Sequence, residues 1–201
     1  MKGGYQVKSS FSGFLGIAYL LGKIGDAYRD QVAEYLGTTV NVGPSHITLY
    51  QGRLRDVPAE QVESALADAD MLSGAEVRLG QVALYGSRYI FWDVYRVPGQ
   101  CDIWQATQQL AASHLIPYLD PDQPALRQKM VISEPCLGNI RKTGYALFGT
   151  EIRPHVTVAV VESGQACHLD LPAVVWAAIW LQGPSLVRLG ANGSVEEVLV
   201  P

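Results

Sequence analysis

His46-Ile47-Thr48-Leu49 and His155-Val156-Thr157-Val158 are two versions of one phrase, placed roughly half a chain apart. Each alternates a polar residue with an aliphatic one, the pattern of a half-buried β-strand. Residues i and i+2 of a strand point to the same face, so each copy presents an imidazole beside a hydroxyl. The aliphatic residues between them are left to point into a core. Two such strands at equivalent places in two similar halves predict one composite site assembled from both.

Around the two phrases, the chain reads as the same order of elements twice. An apolar run over 14–21 is expected to be a strand, followed by a helix over 26–36 with Ala27, Val32, Ala33 and Leu36 as its stripe and Gly37 as its stop. Pro44 precedes the first His/Thr strand, over 45–51. Pro58-Ala59-Glu60 opens a second helix with Val62, Leu66 and Ala69 on one face, and strands over 76–85 and 88–97 come next, turning at Gly86-Ser87. The second half begins with a helix over 102–119, with Pro121 and Pro124 in the loop beyond it. Its Gly-rich stretch over 133–153 reads as an extended loop that leads, through Pro154, into the second His/Thr strand. Strands over 174–181 and 185–199 close the chain. Helix, His strand and further strands, seen twice, read as an internal duplication of about 100 residues. The halves, 1–98 and 99–201, meet at a short junction near Pro98-Gly99 and are expected to pack directly as one two-lobed domain spanning 1–201.

The bulk composition narrows the partners. A chain of 201 residues with 48% hydrophobic and 17% charged residues can bury a sizeable core. Its net charge of −4 speaks against holding long duplex nucleic acid by phosphate neutralisation, whereas a local basic pocket for a small ligand or a strand end needs no basic protein. Cys101, Cys136 and Cys167 are odd in number and widely spaced, so reduced thiols are expected, with neither a disulfide framework nor a zinc site. The N-terminus lacks the features of a signal peptide, and the apolar run is too short to span a bilayer. A cytoplasmic monomer with no membrane partner is the expectation.

The matching surroundings of the two phrases give the sequence a family likeness. Paired His-x-Thr strands, one per half, resemble those of the two-histidine phosphoesterase superfamily, which includes 2′-5′ RNA ligase-like proteins and RNA 2′,3′-cyclic phosphodiesterases. Asn139-Ile-Arg-Lys-Thr-Gly-Tyr145 and Phe148-Gly-Thr-Glu-Ile-Arg-Pro-His155 look like the loop entering the second motif. Leu79–Tyr85 with Ile90–Tyr95 resembles the strand pair after the first, and Trp180-Leu-Gln-Gly-Pro-Ser185 the strand closing the second lobe. The likeness covers about residues 13 to 199. It implies an α+β, bilobed fold: two pseudo-symmetric lobes, each with an antiparallel sheet and outer helices, and an active-site cleft between them.

The chemistry expected of such a cleft comes from the residue types. An imidazole titrates near pH 6.5, so one histidine can hold a proton while the other lacks it. One then acts as base on the attacking oxygen and the other as acid on the departing one. The Thr48 and Thr157 hydroxyls would donate to non-bridging phosphate oxygens, so no metal or other cofactor is expected. The anticipated substrate is a nucleotide or RNA end carrying a 2′,3′-cyclic phosphate, or a 2′-5′ phosphodiester. The alternative is a protein that binds the same ligand without turnover. Candidate substrate contacts are Tyr50 on the strand of His46, Arg141, Lys142 and Tyr145 in the expected loop, and Arg153 two residues before His155. His114 and His168 read as structural or surface residues, and Trp92, Trp176 and Trp180 as core.

Overall fold

The structure, a computed structural model, describes residues 9–38, 43–86, 88–95, 100–122, 133–161 and 173–201. Its strands are β1 (Ser10–Leu20), β2 (His46–Pro58), β3 (Glu76–Tyr85), β4 (Tyr89–Val94), β5 (His155–Val160), β6 (Ala173–Trp180), β7 (Pro184–Leu189) and β8 (Val195–Val200). Four α-helices are found among the described residues: α1 (Gly22–Tyr35), α2 (Ala59–Ala69), α3 (Gln100–Ser113) and α4 (Glu134–Thr143). The class is α+β, as expected.

The eight strands form one antiparallel sheet in the order β6-β3-β4-β5-β2-β1-β7-β8, where two sheets were expected. The two His/Thr strands are its central neighbours. Reading outward from them, each side presents first a His/Thr strand and then the strand that precedes it in the chain. Beyond that the two halves of the sequence interleave: β3 and β4 lie with β5 and β6, and β7 and β8 lie with β1 and β2. Neither side of the sheet is therefore built from one continuous half of the chain.

One face of the sheet is covered by helices. Residues Leu15, Ile17 and Tyr19 of β1, with Ile47 and Val156 at the centre, join Val62 and Ala65 of α2 and Trp104 and Ala111 of α3 in one buried core. The Tyr19 hydroxyl donates to the Ala69 carbonyl at 2.5 Å, and its ring meets Trp104 edge-on at 6.1 Å. Helix α1 adds Val32 and Ala33 to the same core and packs against β5 and β6. His114, just after α3, pairs with Asp68 of α2 at 2.8 Å and so ties two helices together.

The stretch expected as an extended loop contains α4 and a short 3-10 turn, Gly149–Glu151. Pro135 in the first turn costs the helix nothing, because the N–H it lacks has no partner there anyway. Gly144 ends the helix with φ +76, and its N–H bonds the Ile140 carbonyl. Gln108 of α3 anchors the segment beyond Gly144. Its side-chain nitrogen donates to the Leu49 and Leu147 carbonyls, and its oxygen accepts the Gly149 N–H.

Candidate active site

Strands β2 and β5 meet at one bridged pair, Ile47 opposite Val156, antiparallel. Cross-strand partners share a face, and both of these aliphatic side chains are buried in the core. Their neighbours at ±1 must then emerge on the other face. Continuing the register sets His46 across from Thr157 and Thr48 across from His155. All four motif side chains therefore gather on the face opposite α2 and α3, and the charge of His46 acts on the titration of His155. The threonines are half-buried, while His46 and His155 are only 6% and 8% exposed.

Both strands also carry a β-bulge directly after the threonine. In β2, Thr48 pairs with Ala18 and Tyr50 with Ile17, leaving Leu49 as the extra residue. In β5, Thr157 pairs with Phe91 and Ala159 with Ile90, leaving Val158 extra. A one-residue insertion flips every later side chain to the other face. This corrects the expectation for Tyr50, which turns to the core face with Ile17 and is fully buried. Its hydroxyl donates to the Thr143 carbonyl at 2.8 Å, and its ring meets Tyr145 and Phe148 edge-on at 6.3 and 6.4 Å. Tyr145, 4% exposed, is buried with it. Neither ring is open to a ligand; together they hold the segment after α4 against the sheet.

The imidazoles are fixed in matching ways. His46 Nδ1 lies 3.0 Å from the Pro44 carbonyl, and His155 Nδ1 lies 2.6 Å from the Arg153 carbonyl, each two residues upstream. A carbonyl oxygen only accepts, so Nδ1 carries the proton in both rings and Nε2 carries the lone pair in the neutral form. Burial lowers the pKa of both. The rest of their surroundings differ. Near His46, the Gly193 carbonyl and the Asp26 carboxylate favour the charged form, and Arg29 opposes it. His155 is stacked on Phe91, ring centroids 3.5 Å apart at 21°, beside the Arg153 guanidinium. Desolvation first, then the Arg153 and His46 charges, push its pKa down to about 3 against the bond to the Arg153 carbonyl.

Each motif has its own support. Asp26 of α1 accepts the Ser45 N–H at 2.6 Å, and the buried Arg29 donates to the Gly43 carbonyl at 2.5 Å, so α1 holds the turn that delivers His46. On the other side, Arg153 makes a bidentate pair with Asp93 of β4, at 2.9 and 2.7 Å. Its guanidinium lies over the Tyr85 and Phe91 rings at 5.5 and 5.6 Å. Arg153 thus does share the face of His155. An open depression of about 260 Å³ adjoins it, lined by Tyr85, Gly86, Ser133, Cys136, Leu147, Glu151 and Arg153.

Arg141 and Lys142 stand exposed in the last turn of α4, where positive charge complements the helix dipole. The charges acting on the two imidazoles come from Arg29, Asp26, Arg153 and His46, and not from this pair. The sequence reading missed Asp26, Arg29, Phe91, Asp93 and Gly193. Asp93 alone left a visible signal, as the one charged residue inside the apolar strand β4. Of the three tryptophans expected in the core, Trp92 is there, its Nε1 donating to the Val175 carbonyl at 2.8 Å. Trp176 and Trp180 are not: they are 61% and 64% exposed on β6, which forms an edge of the sheet. His168, Cys167 and the Pro98-Gly99 junction lie outside the described residues.

Among the described residues, no helix is long and apolar enough to cross a membrane, and no three His, Cys, Asp or Glu side chains converge as a metal site. No family model matches the sequence, and no curated protein sequence matches it. Among solved structures, the chain is similar to one described as a phosphoesterase, at 15% identity and a TM-score of 0.47, over 94% of this chain and 97% of that one.

Proposed function

We propose that this chain is a phosphoesterase that opens a 2′,3′-cyclic phosphate, or cleaves a 2′-5′ phosphodiester, in RNA or a small nucleotide without a metal. The observation that carries the reading is the juxtaposition of the two motifs. The central strands put His46, Thr48, His155 and Thr157 on one face, with each imidazole locked by the carbonyl two residues upstream. Two such rings and two hydroxyl donors supply base, acid and oxyanion contacts for one phosphorus centre.

Their different surroundings support opposite roles for the two rings. His155, held neutral by burial and by the Arg153 charge, is the base: its Nε2 takes a proton from water as the water oxygen bonds to phosphorus. His46, where the Gly193 carbonyl and Asp26 offset part of the desolvation that lowers its pKa, is the acid: it gives its proton to the ribose oxygen as the P–O bond breaks. The bound phosphodiester anion raises both pKa values by opposing their charge. Thr48 and Thr157 donate to the non-bridging oxygens. Solvent returns the proton from His155 to His46 after product leaves.

The test is incubation with a nucleoside 2′,3′-cyclic phosphate in EDTA, followed by separation of the 2′- and 3′-monophosphates. Product in EDTA that disappears in His46→Ala and His155→Ala supports the reading. A strict requirement for added metal, or full activity in the double alanine variant, overturns it. Binding without product over long incubation would assign the site to a ligand-binding protein instead.

A further inference from the structure

The face that carries the two motifs continues past them. From β5 it runs across Phe91 and Asp93 of β4 to Tyr85 of β3, and the contacts are ring on ring: Phe91 lies against His155, and Tyr85 stacks on Phe91 at 5.0 Å and 16°. Tyr95 is two residues beyond Asp93 and so on the same side, and its ring meets Trp176 of β6 edge-on at 5.2 Å. The Trp176 indole sits close over Gly80 of β3, which has no side chain; a Cβ there would come to 3.0 Å from the ring. Trp180, four residues on, shares this face, with only the Ala178 methyl between the two indoles. Tyr95, Trp176 and Trp180 are 49%, 61% and 64% exposed, and Arg78, 68% exposed, stands beside them opposite Ala178.

We propose that Tyr95, Trp176 and Trp180 form a stacking shelf for the bases of a single-stranded RNA whose phosphate end lies between His46 and His155. The proposal rests on the phosphoesterase reading and names the substrate class of that same site. Three strand spacings of about 4.8 Å put the two indoles of β6 roughly 15 Å across the sheet from the strand of His155, with Tyr95 nearer, a span that a short run of nucleotides bridges. Unpaired bases stack on aromatic faces with little regard to sequence. The charges along the way are already matched, Arg153 with Asp93 and Arg78 with Glu76, so stacking rather than phosphate neutralisation supplies the attraction. That accords with a chain of net charge −4. The indoles stand on the face of the sheet and not off its free edge, where a protein strand adding to β6 would need its contacts.

The experiment compares two substrates in wild type, Trp176→Ala, Trp180→Ala and the double variant: a nucleoside 2′,3′-cyclic phosphate, and a short oligoribonucleotide ending in the same group. The shelf predicts that the oligonucleotide loses roughly 5- to 150-fold in kcat/KM per indole, chiefly through KM, while the mononucleotide is turned over as before. Equal losses on both substrates, or no loss on the oligonucleotide, overturn it. So does indole-dependent self-association in sedimentation with unchanged oligonucleotide kinetics, which would give the surface to a second copy of the chain. A titration read by indole fluorescence, using the oligonucleotide with a 3′-phosphate, judges the shelf even if the enzyme turns over neither substrate. Quenching that vanishes in the double variant would keep the shelf while the phosphoesterase reading fails. An absence of quenching would remove the shelf.

Discussion

His46 and His155 occupy matching positions in neighbouring strands, and burial lowers both pKa values, yet the other groups around the two rings differ. Each ring gives its Nδ1 proton to the carbonyl two residues upstream, and each strand bulges directly after its threonine. Around His46 the remaining groups are a carbonyl and a carboxylate set against one arginine; around His155 they are an aromatic ring and a guanidinium. The backbone fixes the tautomer, which must be alike for both rings to present Nε2. The flanking groups make the two rings unequal, as the proposed reaction requires of one ring that gives a proton and one that takes it.

The most severe challenge to this contrast is to remove either ring. His155→Ala and His46→Ala are each expected to lower kcat by about 10²–10⁴-fold on a cyclic nucleotide. The double variant should be little worse than either single one, because the two rings act as a unit. Additive losses would mean that the rings work in separate steps.

Removing the support of one ring is a finer probe. Asp93→Asn leaves the Arg153 guanidinium, 29% exposed, without its carboxylate. A loss of about 1–3 kcal/mol in urea unfolding is expected, with the acid limb of the pH–rate profile moved further down. A change below about 0.5 kcal/mol would mark the pair as an ordinary surface ion pair.

The lowered pKa values set two pH experiments. An acid below its ordinary 6.5 and a base near 3 place the optimum of kcat/KM on the acid side of neutrality, between those values. For stability the sign is set by proton uptake: below pH 6.5 the unfolded chain protonates both histidines while the folded chain resists. Stability is therefore full above pH 6.5 and is lost as the pH falls toward about 3. His155→Gln should flatten that decline, measured as Tm against pH. The smallest effect is expected from Asp26→Asn, which keeps an acceptor for the Ser45 N–H but removes a charge that favours protonated His46. The alkaline limb of the profile should move down by a fraction of a pH unit; an upward shift would contradict the assignment of His46 as the acid.

The strands were readable wherever alternation was clean. The span of β3 is legible in its polar-apolar alternation, as is the start of β5, and the two histidines and two threonines in the repetition of that pattern. Three features were hidden for physical reasons. Periodicity counts residues and does not see a bulge, so Tyr50 was assigned to the wrong face. Glycine and proline were read as loop signals over 133–153, although Pro135 near the start and Gly144 at the end are how a short helix is bounded. Trp176 and Trp180 have the composition of core residues, and only the strand order reveals that β6 is an edge. The partners that separate the two imidazoles, Gly193 and Asp26 on one side and Phe91 on the other, come from elements distant in sequence, so no local pattern could indicate them.

Among the described residues, the bridge between Ile47 and Val156 is the one bridged pair joining β2 to β5. It is a seam between two blocks of four strands, each with one histidine at its inner margin. In the proposed reaction, a phosphodiester held by both histidines would cross that seam and add bonds where the backbone supplies fewest. Ligand should therefore act as a clasp, and the amides of Ile47 and Val156 should slow in hydrogen exchange more than those deep within either block. Thermal stability should rise with the logarithm of ligand concentration above the Kd.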